Sequence, residues 1–137
     1  MGRFAVEVEI ANDEDLMMVK AGIMPAEKVR RVRIRGVVDS GATRLVIPES
    51  VAQHLGLSIV GSVSVRYAGG RTAQRAVAER IRLSLGGRDS VFNAIVEPGR
   101  ESALIGAIVM EDLDFLIDCS GQRLVPRDPN MIISEVE

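Results

Sequence analysis

The sequence predicts a mainly β fold: a closed barrel of short strands carrying one or two short helices. Three observations predict it. Apolar and polar residues alternate through most of the chain, which is the two-residue period of half-buried strands. Glycine-containing turns at Gly41, Gly69-Gly70, Gly86-Gly87 and Gly121 punctuate those runs. The helical stretches are brief, and short strands joined by hairpins hide their edges best by closing on themselves.

Length and composition bound the answer. The 137 residues make one domain over 1–137, and 47% hydrophobic content supports a buried core. Apolar runs are short and broken by charge, so no membrane span or membrane partner is expected. Met1-Gly2-Arg3-Phe4 carries no apolar leader, and Val6 stands where a myristoylation signal has Ser or Thr. The lone Cys119 excludes an internal disulfide and fits a reducing compartment, so a cytoplasmic location is expected. A net charge of −2 and 3% aromatic residues give no argument for nucleic acid. Lys28, Arg30, Arg31, Arg33 and Arg35 read as the solvated face of a strand rather than a DNA patch.

The elements follow in order. Phe4 to Ile10 alternates as a half-buried strand. Asn12 to Asp15 can cap a short helix, Leu16 to Ala21, that Gly22 stops. Val29 to Val38 is a strand that becomes fully apolar at Val37-Val38. Arg44 to Ile47 reads as a further short strand. Pro48-Glu49-Ser50 opens a helix that runs through Leu55 to Gly56, with Val51 and Leu55 facing the core. His54 lies on its surface, with no ligand-spaced partner to make a metal site. Leu57 to Tyr67 and Thr72 to Leu85 form a long hairpin with its tip at Ala68-Gly69-Gly70-Arg71, and Val77, Ile81, Leu83 and Leu85 share one face. Gly86 to Asp89 turns into a strand from Val91 to Val96. A short apolar strand reaches Gly106, and Ala107 to Leu113 reads as a helix. Phe115 to Asp118 and Gln122 to Pro126 are strands about a turn at Gly121.

The chemistry centres on Asp39-Ser40-Gly41-Ala42-Thr43. A carboxylate at the end of a buried strand is costly unless it is hydrogen-bonded or functional. Gly41 permits a tight turn that aims it. Asp39 capping its own backbone is the plain alternative. Asp-Ser/Thr-Gly arises by chance in about 5% of chains this long, so context has to decide. That context is the order strand, Asp39-Ser40-Gly41-Ala42, strand, helix, glycine-tipped hairpin, then Leu104-Ile105-Gly106, helix and strand. Gly106 follows Asp39 by 67 residues (106 − 39). From about Phe4 to Pro126 the chain resembles the retropepsin-like aspartic proteases, the single-domain relatives of pepsin and retroviral protease.

The resemblance implies roles. Asp39 matches the catalytic aspartate, and Ser40 the hydroxyl that braces two active loops across a dimer. Gly41 matches the glycine whose carbonyl receives substrate backbone, with Ala42 and Thr43 completing the loop. Leu104, Ile105 and Gly106 match the strand-to-helix crossing beneath it. Tyr67, Ala68, Gly69, Gly70, Arg71 and Thr72 match the flap. Substrate pockets would be lined by residues such as Val46, Ile47 and Ile105. The family's acid after the Ala and Arg after the second glycine are Thr43 and Ala107 here, so that ion pair is absent as a pair. Arg71 also replaces the usual apolar flap tip. Peptide hydrolysis by this route takes two carboxylates sharing a proton, without metal or cofactor, at an acidic optimum. Asp118-Cys119-Ser120-Gly121 is a near-miss with one inserted residue. One competent motif per chain implies a two-fold homodimer acting on peptide or protein, to which the tail 127–137 could add an interface strand from Met131 to Val136.

Three other readings share part of the pattern. Phosphotransferases that open with strand-Asp-x-Gly need two lobes, and aspartyl phosphatases want a second Asp where Gly41 stands. A catalytically silent dimeric domain that binds peptides by strand addition keeps the fold without the enzyme.

Overall fold

The structure is a computed structural model, which describes residues 3–137. Nine strands and three short helices run in the order β1 (Phe4–Asn12), α1 (Asp13–Lys20), a 3-10 turn (Ala26–Lys28), β2 (Arg31–Val38), β3 (Val46–Pro48), α2 (Glu49–Leu55), β4 (Ile59–Arg66), β5 (Thr72–Leu85), β6 (Arg88–Glu97), β7 (Ala103–Ile105), α3 (Ala107–Leu113), β8 (Phe115–Asp118) and β9 (Arg123–Pro126). The main sheet is ordered β1-β2-β7-β3-β6-β5-β4, and β1 also pairs with β5. Six strands therefore close into a barrel, and β4 extends it as an outer edge. Val8, Ile10, Leu45, Ile47, Ile81, Leu83 and Ile105 fill the interior. Helix α2 adds Val51, Ala52 and Leu55 to this core, and α3 adds Val109, Met110 and Leu113. Gly56 and Asp114 end these helices in the left-handed conformation. Among the described residues no helix is long and apolar enough to cross a membrane.

Three departures from the sequence reading have physical causes. The first is α1, which starts at Asp13 rather than Leu16 because Asn12 is its cap: Asn12 Oδ1 accepts the Asp15 N–H at 3.1 Å, and its amide donates to the Leu55 carbonyl at 2.8 Å. This helix buries acids and exposes Met17 and Met18. Asp15 is held by Arg30 and Asp13 by Arg80 and Arg82, so paired charge replaces an apolar face.

The second is a bulge in β5. Ala78 pairs with Ala94 and Ile81 with Phe92, which leaves Glu79 and Arg80 opposite the single residue Asn93. Arg80 takes φ of 59° there. The bulge shifts the alternation by one, so Ala78 rather than Val77 faces the core ahead of Ile81, Leu83 and Leu85. The third is β3, which is Val46–Pro48 instead of Arg44 to Ile47; Pro48 caps α2, and Leu45 is buried ahead of the strand.

The Asp118 near-miss is structural. Its Oδ1 accepts the Ser120 hydroxyl at 2.9 Å and the Gly121 N–H at 3.1 Å, and Oδ2 meets Arg123 at 3.0 Å. These bonds, the Gly121 N–H foremost, hold the Asp118 carboxyl below the usual range and fix the β8–β9 hairpin. Beyond β9 the tail carries no strand within the single chain and leaves Met131, Ile132, Ile133 and Val136 exposed. His54 is exposed on α2.

Candidate active site

Asp39 leaves the barrel at the end of β2, where β2 runs parallel to β7 and Val38 pairs with Ile105. Its N–H donates to the Ile105 carbonyl at 3.1 Å, and its own carbonyl accepts the Ala42 N–H at 3.1 Å. Oδ1 accepts the Gly41 N–H at 2.9 Å. Oδ2 faces the Arg3 guanidinium at 3.2 Å, and the side chain is only 19% exposed. Two bonds fix the Asp39 main chain, and the third, from Gly41, is the self-capping turn the sequence also allows, which orients the carboxylate. Ser40 and Gly41 stand exposed at the tip of the turn and Ala42 is half-buried.

The second block clamps this loop. Ala107 N–H donates to the Ala42 carbonyl and Ile108 N–H to the Thr43 carbonyl, both at 2.9 Å. A Cβ on Gly106 would lie 2.6 Å from the Arg44 carbonyl oxygen and 2.7 Å from the Thr43 carbonyl carbon. Only glycine permits that approach, and φ of −91° shows that the need is space rather than conformation. Where the family's ion pair would stand, the loop and the helix are tied by main chain one residue to either side: Ala107 to Ala42 and Thr43 to Ile108.

Beside this loop lies a cleft of about 490 Å³ between Ala42-Thr43-Arg44 and the tip end of the β4–β5 hairpin. Val46, Val65, Ile95 and Leu104 form its apolar wall, and Arg44, Arg66, Tyr67, Glu97 and Arg100 the polar one. Of the expected pocket residues Val46 does line it. Ile47 and Ile105 do not: both are fully buried, because on β3 and β7 they point to the opposite face from Val46 and Leu104.

Tyr67 anchors the tip end of the hairpin to β6. Its hydroxyl donates to the Glu97 carboxylate at 2.7 Å, and Arg75 Nε reaches Glu97 at 2.8 Å and the Tyr67 oxygen at 2.9 Å. Glu97 first, then Tyr67, holds the Arg75 guanidinium above its ordinary value. The tip closes through Tyr67 N–H to the Arg71 carbonyl and Gly70 N–H to the Tyr67 carbonyl, each at 2.8 Å. Arg71 lies over the Tyr67 ring at 4.3 Å. Ala68, Gly69 and Gly70 are exposed beyond the cleft. Sequence reasoning missed Arg3, Arg44, Arg66, Glu97 and Arg100. The only signal was Tyr67, the single tyrosine of the chain, whose hydroxyl needs a partner when half-buried.

A family model described as aspartyl protease matches residues 26–109, a span that contains both Asp39 and Gly106. The chain belongs to the aspartyl protease family. Its barrel is that of the retropepsin-like members. The EIAV protease, solved in complex with the inhibitor HBY-793, is 16% identical with a TM-score of 0.56, covering 90% of this chain and 93% of the viral one. The simian foamy virus (mac) protease is 17% identical with a TM-score of 0.50, covering 78% and 91%. Identities this low carry the fold alone. A search of curated protein sequences found no match.

Proposed function

We propose that this domain is an aspartic endopeptidase, active as a two-fold homodimer in which Asp39 of each copy meets its mate. The observation that carries this reading is the fixing of Asp39 from its own N–H, from Gly41 and through the clamped Gly106 crossing, once per chain. A single carboxylate cannot serve as base to water and acid to the carbonyl at once, whereas two in contact share one proton and do both. The substrate lies extended between the Gly41 region and the Tyr67–Thr72 hairpin, which acts as the flap. Ser40 braces the partner loop, and the apolar tail from Met131 to Val136 adds to the interface.

The test is cleavage of a peptide library by the parent and by Asp39→Asn. Asn keeps the shape and loses the titrating proton, so cleavage should vanish while the fold and the dimer persist. Equal cleavage by both proteins sinks the assignment. A silent peptide-binding domain is the second reading, favoured by β4, which among the described residues pairs only with β5 and presents an outer edge with Ile59 and Val60 exposed. Peptide binding without cleavage by the parent selects it.

A further inference from the structure

The charges around the cleft are unbalanced. Three guanidinium groups line it, from Arg44, Arg66 and Arg100, against one carboxylate, Glu97. That carboxylate is already committed to Arg75 and the Tyr67 hydroxyl. Arg100 spends its donors on main chain and a hydroxyl, with Nε on the Ser102 carbonyl at 2.6 Å and Nη2 near Ser102 Oγ and the Ala103 carbonyl, so among the described residues its charge meets no acid. Arg44 and Arg66 make no ion pair or side-chain hydrogen bond among the described residues, although most other arginines of the chain do. Opposite them stand Val46, Val65, Ile95 and Leu104. A groove with an apolar wall and unneutralised guanidinium groups fits a side chain with a short aliphatic stem and an acidic end.

We propose that the cleft beside Asp39 selects peptides with an acidic side chain, glutamate above all, close to the bond cut, and that Arg44 and Arg66 determine this preference. The inference rests on the protease reading for the word "cut", but the preference itself is a property of the cleft. Arginine matches a carboxylate with two parallel N–H donors, and a Gln twin of the same shape offers only one acceptor and no charge. Low-dielectric walls strengthen that attraction relative to open water. In a two-fold dimer each copy presents the same cleft, so acids are accepted on both sides of the scissile bond.

The test separates preference from catalysis. Labelled ten-residue peptides with a central apolar pair carry one Glu scanned through the other positions, each with a Gln twin. They are titrated by fluorescence anisotropy against the Asp39→Asn protein of residues 1–137. At one or two positions the Glu peptide should bind about fivefold to tenfold tighter than its twin. Arg44→Gln and Arg66→Gln should each reduce that ratio and together abolish it, Arg66→Lys should keep part of it, and Lys20→Gln on α1 should leave it unchanged. Both arginines are exposed, so these variants keep the fold. Equal binding of the twins at every position, a ratio that survives the double variant, or no binding of any Glu peptide overturns the proposal. The parent is then assayed on the same peptides. Glu-selective binding without cleavage removes the protease reading and leaves the acidic preference standing. Cleavage indifferent to Glu and Gln does the reverse.

Discussion

Replacing Gly106 by Ala probes how tightly the Asp39 loop is held. The added Cβ would sit 2.6 Å from the Arg44 oxygen, and ordinary contact starts near 3.4 Å, so loop and crossing must separate by roughly 0.8 Å. Nothing flexible can yield, because the three nearest atoms are all main chain and that main chain is bonded to Ala107 and Ile108. Overpacking of this kind costs about 1–3 kcal/mol. Loss of one clamp hydrogen bond adds about 1 kcal/mol. For a domain of this size a loss of about 2–4 kcal/mol lowers Tm by roughly 7–14 °C. Gly69→Ala is the control for the melt alone, since a Cβ there meets nothing within 4 Å and the residue has no positive φ. Far-UV circular dichroism melts read the stability. Peptide cleavage at 25 °C, where both variants remain folded, reads the site, and a misplacement approaching 1 Å should cost about 100-fold. If Gly106→Ala melts within about 2 °C of Gly69→Ala, the clamp is not what the packing distances imply.

Two further outcomes are expected. Asp15→Asn should destabilise by about 1–2 kcal/mol at neutral pH, toward the low end for a charged hydrogen bond because Arg30 is half-exposed. The pair with Arg30 holds the Asp15 carboxyl below 3.8, so the native state binds fewer protons than the unfolded one. Its contribution is therefore complete above 3.8 and is lost as pH falls through the lowered native value, and urea melts of parent and variant should converge in that acid range. Arg3→Ala should leave the melt unchanged and raise cleavage by up to about fivefold, the limit for an exposed ion pair, since Arg3 occupies Oδ2 of Asp39 and must leave for a second carboxylate to approach. A fall in kcat/KM would show that Arg3 assists the site.

Much of this was legible in the sequence because strand periodicity and glycine turns are local signals. The hairpin tip at Ala68–Arg71 and the Pro48-to-Gly56 helix needed nothing more. The Asp39 and Gly106 blocks were legible as a pair because order and spacing survive where identity does not. The bulge at Glu79 and Arg80 was not, since an unbroken alternation reads the same until a partner strand fixes the count. Nor were Asp13 and Asp15 as buried groups: acids in a first helical turn ordinarily face water, and their arginines lie 15 to 69 residues away. The cleft arginines were illegible for the same reason. Residues 44, 66 and 100 meet only after β3, β4 and β7 have taken their places around the barrel.

The middle position of β7 fixes when the site can exist. This strand is the last of the barrel to be synthesised, yet it lies between β2 and β3, which come much earlier. Until it inserts, the closed sheet has a gap, and the Asp39 N–H lacks the carbonyl of Ile105, sixty-six residues further on (105 − 39). Contacts so distant along the chain close slowly and late. A chain made only as far as β6 therefore displays its aspartate as an unanchored loop residue. The candidate site is assembled in the closing step of folding, and a fragment ending before Ala103 carries Asp39 without it.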